Sequence, residues 1–279
     1  MAKEQGCNMV VSIIIVNYNT AGMLYECLES ILDNLTSEIE VIVADNASTD
    51  DSFSRCIAGL QNRKIRYVPL GKNYGFAAAN NMAARKATGE ILHFLNPDTR
   101  VSGTLEADYA SAAGNPQCVY VNPLINRDGT IENGAMPLPF VGNIFRWIFR
   151  RQKALRWYKG ASVIISAENF NKAGRWCEDY FMYAEDLDLF YAINKKGIEI
   201  REASAPIFHY GGGSSSKKWS AVERETLVQR STRLFYRKNS NMFQYYAVKL
   251  YYLLHYLFKN PRRIPSDIRA WIRSFGKEQ

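Results

Sequence analysis

Three carboxylates crowd into the segment YAEDLDLF: Glu185, Asp186 and Asp188. A carboxylate set beside a reacting hydroxyl can remove its proton. Leu187, Leu189 and Ile193 share their segment at helical spacing, which puts Glu185 and Asp188 on one face and Asp186 about 100° from Glu185. The three therefore need not share one task. An acid-rich first helical turn, favoured by the macrodipole, is the plainer account of the same residues. A second polar set, Asn17, Asp45, Asn73 and Asp98, follows apolar runs or lies in the loops after them. Each alone is an ordinary cap or turn residue. Jointly they point to one ligand. His209 stands between the apolar run Ala205 to Phe208 and Tyr210, Gly211, Gly212 and Gly213, the place of a strand end facing a site. His93, inside a strand-like run, and His255, on an aromatic helix, look structural by comparison.

The elements that would position these residues can be read from the hydrophobic pattern. Residues 10–16 (VVSIIIV) form a β-branched run that reads as a strand buried on both faces, and Leu24, Leu28, Ile31, Leu32 and Leu35 recur at helical spacing after it. Glu40 to Ala44 reads as a second strand and Ile65 to Leu70 as a third. A helix is expected over Ala77 to Ala87 and a fourth strand over Ile91 to Leu95. This is a doubly wound α/β pattern, in which ligands bind beyond the carboxyl ends of the strands. The first turn, NYNTAG, lacks G-x-G-x-x-G, and no G-x-x-x-x-G-K-[ST] occurs, which disfavours NAD enzymes and P-loop NTPases. Carboxylates and amides must then read a base and ribose, with a metal the candidate for neutralising phosphates.

Composition narrows the class further. The chain is 47% hydrophobic and 22% charged, which suits a folded protein and excludes a disordered or low-complexity one. Its net charge of +8 is unevenly placed: residues 217–279 carry 14 basic and 4 acidic side chains, the first 216 residues 21 and 23. A near-neutral body without Cys/His finger spacing argues against nucleic acid as a partner. Cys7, Cys27, Cys56, Cys118 and Cys177 are scattered and odd in number, which fits a reducing compartment better than a disulfide framework. The apolar stretch at residues 10–16 is too short and wrongly flanked for a signal peptide, so a cytoplasmic location is expected.

Six blocks in order, VSIIIVNYN (11–19), VIVADNASTDDS (41–52), NYGFAAANN (73–81), FLNPDT (94–99), YFMYAEDLDL (180–189) and HYGGGSSS (209–216), resemble the inverting family 2 glycosyltransferases, especially their rhamnosyltransferase-like branch. The resemblance implies a GT-A fold, a Rossmann-like mixed sheet flanked by helices. It implies that Asn17 and Asn19 line a base pocket and that Asp45 bonds a uracil or thymine ring or its ribose. Such a carboxylate can accept from the ring N–H of a pyrimidine-2,4-dione. Asn73, Gly75 and Asn80 would border ribose and diphosphate, with Asn96 and Pro97 leading to Asp98. Asp98 and His209 would hold a divalent cation, Mg²⁺ or Mn²⁺. Many relatives carry two acids where this chain has Asn96-Pro97-Asp98, so the metal would lean more on His209, water and the diphosphate. Asp186 would be the base of a single displacement, Glu185 would raise its proton affinity or hold the acceptor, and Asp188 would orient the helix.

Gly211, Gly212, Gly213 and Ser214 are expected to form a lid over a bound diphosphate, although a glycine run is also a plain linker. The stretch Gly134 to Arg156 interrupts the α/β pattern and is expected to shape the acceptor entrance. The expected organisation is a tail (1–9), a catalytic domain (10–216, donor half to about residue 100) and a basic, aromatic C-terminal helical region (217–279). In that region Phe243, Ala247, Leu250, Leu254, Leu257 and Phe258 share a helical face. It can pack on the catalytic domain, form a homodimer or lie on an anionic membrane surface, and its net +10 favours the last. The expected partners are a dTDP- or UDP-sugar donor, rhamnose first, and a polyprenyl-diphosphate-linked saccharide acceptor at the inner face of a bacterial plasma membrane. A UDP-sugar transferase of another polysaccharide pathway and a non-catalytic nucleotide-sugar binding protein stand as alternatives.

Overall fold

The computed structural model describes residues 10–20, 22–60, 64–132, 134–149, 154–211, 219–259 and 264–275. Its first half alternates as the hydrophobic pattern requires: β1 (Val11–Asn17), α1 (Met23–Asn34), β2 (Ile39–Asp45), α2 (Ser52–Gly59), β3 (Ile65–Pro69), α3 (Phe76–Ala84) and β4 (Ile91–Leu95). The elements α1, β2, β3 and β4 match the sequence reading within a few residues, whereas α2 was not expected. Its sequence, SFSRCIAG, buries only Ser52 and Cys56, too little for a periodic signal.

The second half is more broken. It runs β5 (Thr99–Arg100), α4 (Leu105–Gly114), β6 (Cys118–Val121), β7 (Leu124–Ile125), β8 (Ala135–Pro137), α5 (Val141–Ile148), β9 (Arg156–Tyr158), β10 (Ser162–Ser166), α6 (Ala167–Lys172), α7 (Glu185–Lys195), β11 (Glu199–Glu202) and β12 (Ile207–His209). Three helices follow: α8 (Ala221–Asn239), α9 (Met242–Lys259) and α10 (Ile264–Arg273). At the start of α8 a capping box forms, in which the Glu223 backbone N–H donates to Ser220 Oγ and the Ser220 N–H to Glu223 Oε2.

The main sheet has the order β11-β6-β10-β4-β1-β2-β3. β3, β2, β1 and β4 are parallel, while β10 runs antiparallel to both β4 and β6. The connectivity reverses direction between β1 and β4, the place where open α/β sheets leave a crevice beyond their carboxyl ends. β1 is buried along its whole length, as a strand covered on both faces must be. One apolar cluster packs α1 and α4 under the sheet and a second packs α3, α6 and α7 over it. A third joins the C-terminal helices to the body through Leu138, Tyr180, Leu187, Phe235, Tyr236 and Tyr245. The last 60 residues thus include helices packed on the α/β body. Among the described residues no helix is long and apolar enough to cross a membrane.

Candidate functional site

A cavity of about 590 Å³ opens beyond the carboxyl ends of β1, β2 and β4. Asn46, Asn73, Gly75, Asn96, Asp98 and His209 line it on the side of the parallel strands, and Glu185 and Asp186 line it from the start of α7. Trp157, Met182, Val228, Thr232 and Tyr252 add apolar and aromatic walls. Two walls therefore come from different halves of the chain, and α8 and α9 complete the second. A smaller cavity of about 170 Å³ adjoins, sharing Pro139, Thr232 and Tyr252.

Several residues expected to touch a ligand instead stand behind this lining. Asn17 is fully buried, and its amide donates to Asp45 Oδ1 (2.8 Å), Ser48 Oγ (3.0 Å) and Ser52 Oγ (2.9 Å). Its carbonyl oxygen accepts from Thr20 Oγ1. Asp45 also accepts from the Ser48 backbone N–H and hydroxyl, so both carboxylate oxygens are engaged. Asn19, held at φ 52°, accepts from the backbone of Thr49 and Asp50. Asn80 donates to Phe76 O within its own helix. Asn17, Asn19 and Asp45 brace the loops after β1 and β2; Tyr18, Thr20 and Asn46 are the neighbours that reach the cavity. In this arrangement an inward side chain at the end of a buried strand spends its polar atoms on the adjacent loop.

Gly75 and Asn73 do border the cavity. Asn46 Nδ2 donates to Asn73 Oδ1 (3.0 Å) and Gly75 O (3.2 Å), tying the end of β2 to the entry of α3. Gly75 has φ 83°, and a Cβ there would lie 2.4 Å from Phe181 O. The close approach that requires glycine is therefore made by the protein's own backbone, since Phe76 N–H donates to Phe181 O.

The loop that begins at Phe181 delivers the acidic pair. Tyr183 (φ 68°) and Ala184 (φ 64°) are consecutive left-handed residues directly before α7, a conformation costly for side chains with a Cβ and concentrated at functional sites. Asp186 is half-buried; its Oδ1 accepts from Leu187 N–H (2.8 Å) and its Oδ2 faces Gly160 N–H at 3.4 Å. Glu185 is buried, and its Oε2 has no hydrogen-bond partner among the described residues. Burial raises the pKa of both carboxyls above the ordinary range, Glu185 further because the charge of Asp186 lies beside it. Asp186 is held lower by its backbone donors and by Lys159. The pair therefore binds a proton more readily than exposed carboxylates do. Asp188 faces away from the cavity, accepting from Tyr180 Oη (3.0 Å) and Asn239 Nδ2 (2.5 Å). Its place fits the expected role of orienting the helix.

Opposite lies the pair Asp98 and His209, both buried, with Asp98 Oδ1 3.5 Å from His209 Nε2. His209 Nδ1 meets Glu132 Oε2 at 3.1 Å, and Glu132 in turn pairs with Lys159. Burial opposes a charged imidazole, but Asp98 and Glu132 on either side raise its pKa above the usual value. Among the described residues no group of three or more His, Cys, Asp and Glu is arranged to hold an ion. The donor types nonetheless fit the expected one: an oxygen and a nitrogen face the same cavity, leaving other positions for diphosphate oxygens and water. Glu132 on the far nitrogen is the kind of partner that fixes a ligating imidazole. Glu132 and Lys159 were missed by sequence reasoning, since each sits in an irregular stretch far along the chain from His209. Of the expected lid, Gly211 is described and has φ 70°; Gly212, Gly213 and Ser214 lie outside the described residues. His93 is structural as expected: fully buried, between Tyr109 Oη and Ser162 Oγ at 2.8 Å each, and pushed down to about 3 by burial.

The comparisons with known proteins agree with this architecture. The model of the family described as "Glycosyl transferase family 2" matches residues 12–174. An N-acetylglucosaminyl-diphospho-decaprenol L-rhamnosyltransferase of Mycobacterium tuberculosis is 24% identical over 242 residues, covering 75% of this chain and 78% of that protein. A low-salt glycan biosynthesis hexosyltransferase of Haloferax volcanii is 26% identical over 204 residues; the match covers 68% of this chain but only 63% of the archaeal one. Among solved structures, S. aureus TarS 1-349 in complex with UDP-GlcNAc aligns with a TM-score of 0.58 at 18% identity, covering 96% of this chain and 82% of that one. The mannosyltransferase PcManGT from Pyrobaculum calidifontis in complex with GDP-Man and Mn²⁺ aligns at 0.57 and 18% identity, covering 96% and 76%. The fold shared with these neighbours is GT-A.

Proposed function

The chain belongs to glycosyl transferase family 2 and is a glycosyltransferase, and from that premise we propose an inverting transfer with Asp186 as the base. The acceptor hydroxyl attacks the anomeric carbon from the face opposite the nucleotide. Its proton passes to the Asp186 carboxylate, the C–O bond to the diphosphate breaks, and the bonding pair leaves with the nucleoside diphosphate. The observation that carries this is the acidic pair at the start of α7, facing the cavity with both carboxyls raised by burial. Glu185, beside Asp186, would hold the acceptor or raise the proton affinity of that base.

Asn46, Asn73, Asn96 and Asn80 would border the donor, with Asn17, Asn19 and Asp45 bracing the loops after β1 and β2. Asp98 and His209 would hold Mg²⁺ or Mn²⁺, which when bound neutralises charge on the leaving diphosphate. The donor is a dTDP- or UDP-sugar, rhamnose first, and the acceptor a polyprenyl-diphosphate-linked saccharide at the inner face of a bacterial plasma membrane. The mycobacterial rhamnosyltransferase supports this choice. The exposed stripe Phe243, Tyr246, Leu250, Leu254 and Leu257 of α9 supports peripheral membrane contact by the C-terminal region. A UDP-sugar donor of another pathway is the second reading, favoured by the likeness to TarS with UDP-GlcNAc.

The test is a screen of sugar nucleotides against short-chain lipid-diphosphate saccharides, reading released dTDP or UDP and the anomeric configuration of the product. Acceptor-dependent release with inversion is expected. Retention of configuration overturns the mechanism, and binding without release for every pair overturns the enzymatic reading.

A further inference from the structure

We infer that α5 is an interfacial helix that presses into an anionic bilayer and holds the mouth of the cavity against it. The inference deepens the proposed lipid-linked acceptor and rests on that reading for its purpose, though not for its evidence.

The helix occupies the connection between β8 and β9, and Met136, Pro137 and Trp157 of those strands line the cavity. Its inward side is fixed. Asn143 Nδ2 donates to Leu138 O (2.9 Å) and Leu155 O (2.8 Å), while Asn143 Oδ1 accepts from Leu155 N–H (2.7 Å). With Ile144 also buried, the helix cannot turn its other side inward. That other side presents Phe145 (56% exposed), Ile148 (49%) and Phe149 (66%), with the two phenylalanine rings parallel one turn apart. Rigidly displayed aromatic surface of this kind marks a docking face.

Charge selects the occupant. Between Glu132 and Glu168 the sequence carries six basic residues, Arg146, Arg150, Arg151, Lys153, Arg156 and Lys159, and no acidic one. Arg146 is exposed on α5, and Arg156 lies over the Trp147 ring at 5.5 Å. Aromatic side chains in so basic a stretch of sequence are what the headgroup region of an anionic bilayer attracts. A second copy of this chain would bring the same basic stretch, which opposes self-association. The first turn of α5 also meets α9, where Val141 N–H donates to Gln244 Oε1 (3.1 Å) beside the exposed Phe243.

The experiment is co-sedimentation of the full chain with extruded vesicles of phosphatidylglycerol and phosphatidylcholine in equal parts, against pure phosphatidylcholine. Preferential binding to the anionic vesicles is expected, falling by about tenfold or more in Phe145→Ser/Phe149→Ser, as expected for two phenylalanines withdrawn from an apolar phase. An unchanged thermal midpoint shows that the variant is folded, and donor turnover with a detergent-dispersed short-chain acceptor stays at the wild-type level. Equal binding by variant and wild type overturns the role of α5, as does the absence of wild-type binding. A dimer that the double substitution dissolves, without vesicle binding, assigns the face to a second copy instead and also overturns it. Vesicle binding that is lost in the variant while no donor–acceptor pair turns over leaves the surface standing and removes the proposed reaction.

Discussion

Two ionisable clusters face one cavity, and the same enclosure affects them differently. At the start of α7, burial dominates: both carboxyls are raised and Glu185 Oε2 has no partner among the described residues, so the cluster is suited to retaining and releasing a proton. Around His209, partners dominate: Asp98, His209, Glu132 and Lys159 alternate in sign along the chain of contacts, and Glu132 is held below the usual carboxylate range by Lys159 and His209 despite burial. That cluster is suited to keeping fixed charge in place. Burial alone does not say what a polar group is for; the sign of its neighbours does.

Asp186→Asn tests the proton-handling side and carries the largest expected effect, a fall in kcat of about 10² to 10⁴, with nucleotide affinity measured by calorimetry preserved. Glu132→Ala tests the charge-holding side. Freed of its far-nitrogen partner, His209 should lose orientation, weakening Mn²⁺ affinity in the presence of nucleoside diphosphate by about 10- to 100-fold, read by electron paramagnetic resonance. Gly75→Ala strikes the strut between the two. A Cβ at φ 83° beside Phe181 O should cost about 1–3 kcal/mol in chemical denaturation. The pH profile of kcat/KM should show an acidic limb above the ordinary carboxylate range, because the base has a raised pKa and activity is lost as pH falls through it. The smallest effect belongs to Glu185→Gln. If Glu185 is already neutral near pH 7, the amide is a close substitute and kcat stays within a few-fold; a collapse matching Asp186→Asn would transfer the role of base to Glu185.

The parallel strands were legible because strands covered on both faces need continuous β-branched runs, and VVSIIIV and EVIVA are such runs. The acidic pair was legible as a dense local motif. The contact of Glu132 with His209 was not, because it joins residues 77 apart in sequence through a region without periodicity. Nor was the inward turn of Asn17 and Asp45, which depends on which face of β1 and β2 each side chain takes at the strand end. The stretch Gly134 to Arg156 was expected to shape an entrance; β8 and β9 border the cavity there, while the exposed face of α5 between them could be recognised only once its inward side was known.

The antiparallel strand β10 sets a limit on how the enzyme can breathe. Because it pairs with β4 from Ser162↔Leu95 to Ser166↔Ile91, the segment bearing Lys159 and Gly160 emerges directly beside the end of β4, where Asn96 begins the turn to Asp98. The two halves of the main sheet are thus stitched by a continuous ladder instead of a swivel. Opening one from the other by rigid rotation would tear that seam, so traffic in and out has to pass through movement of the rim.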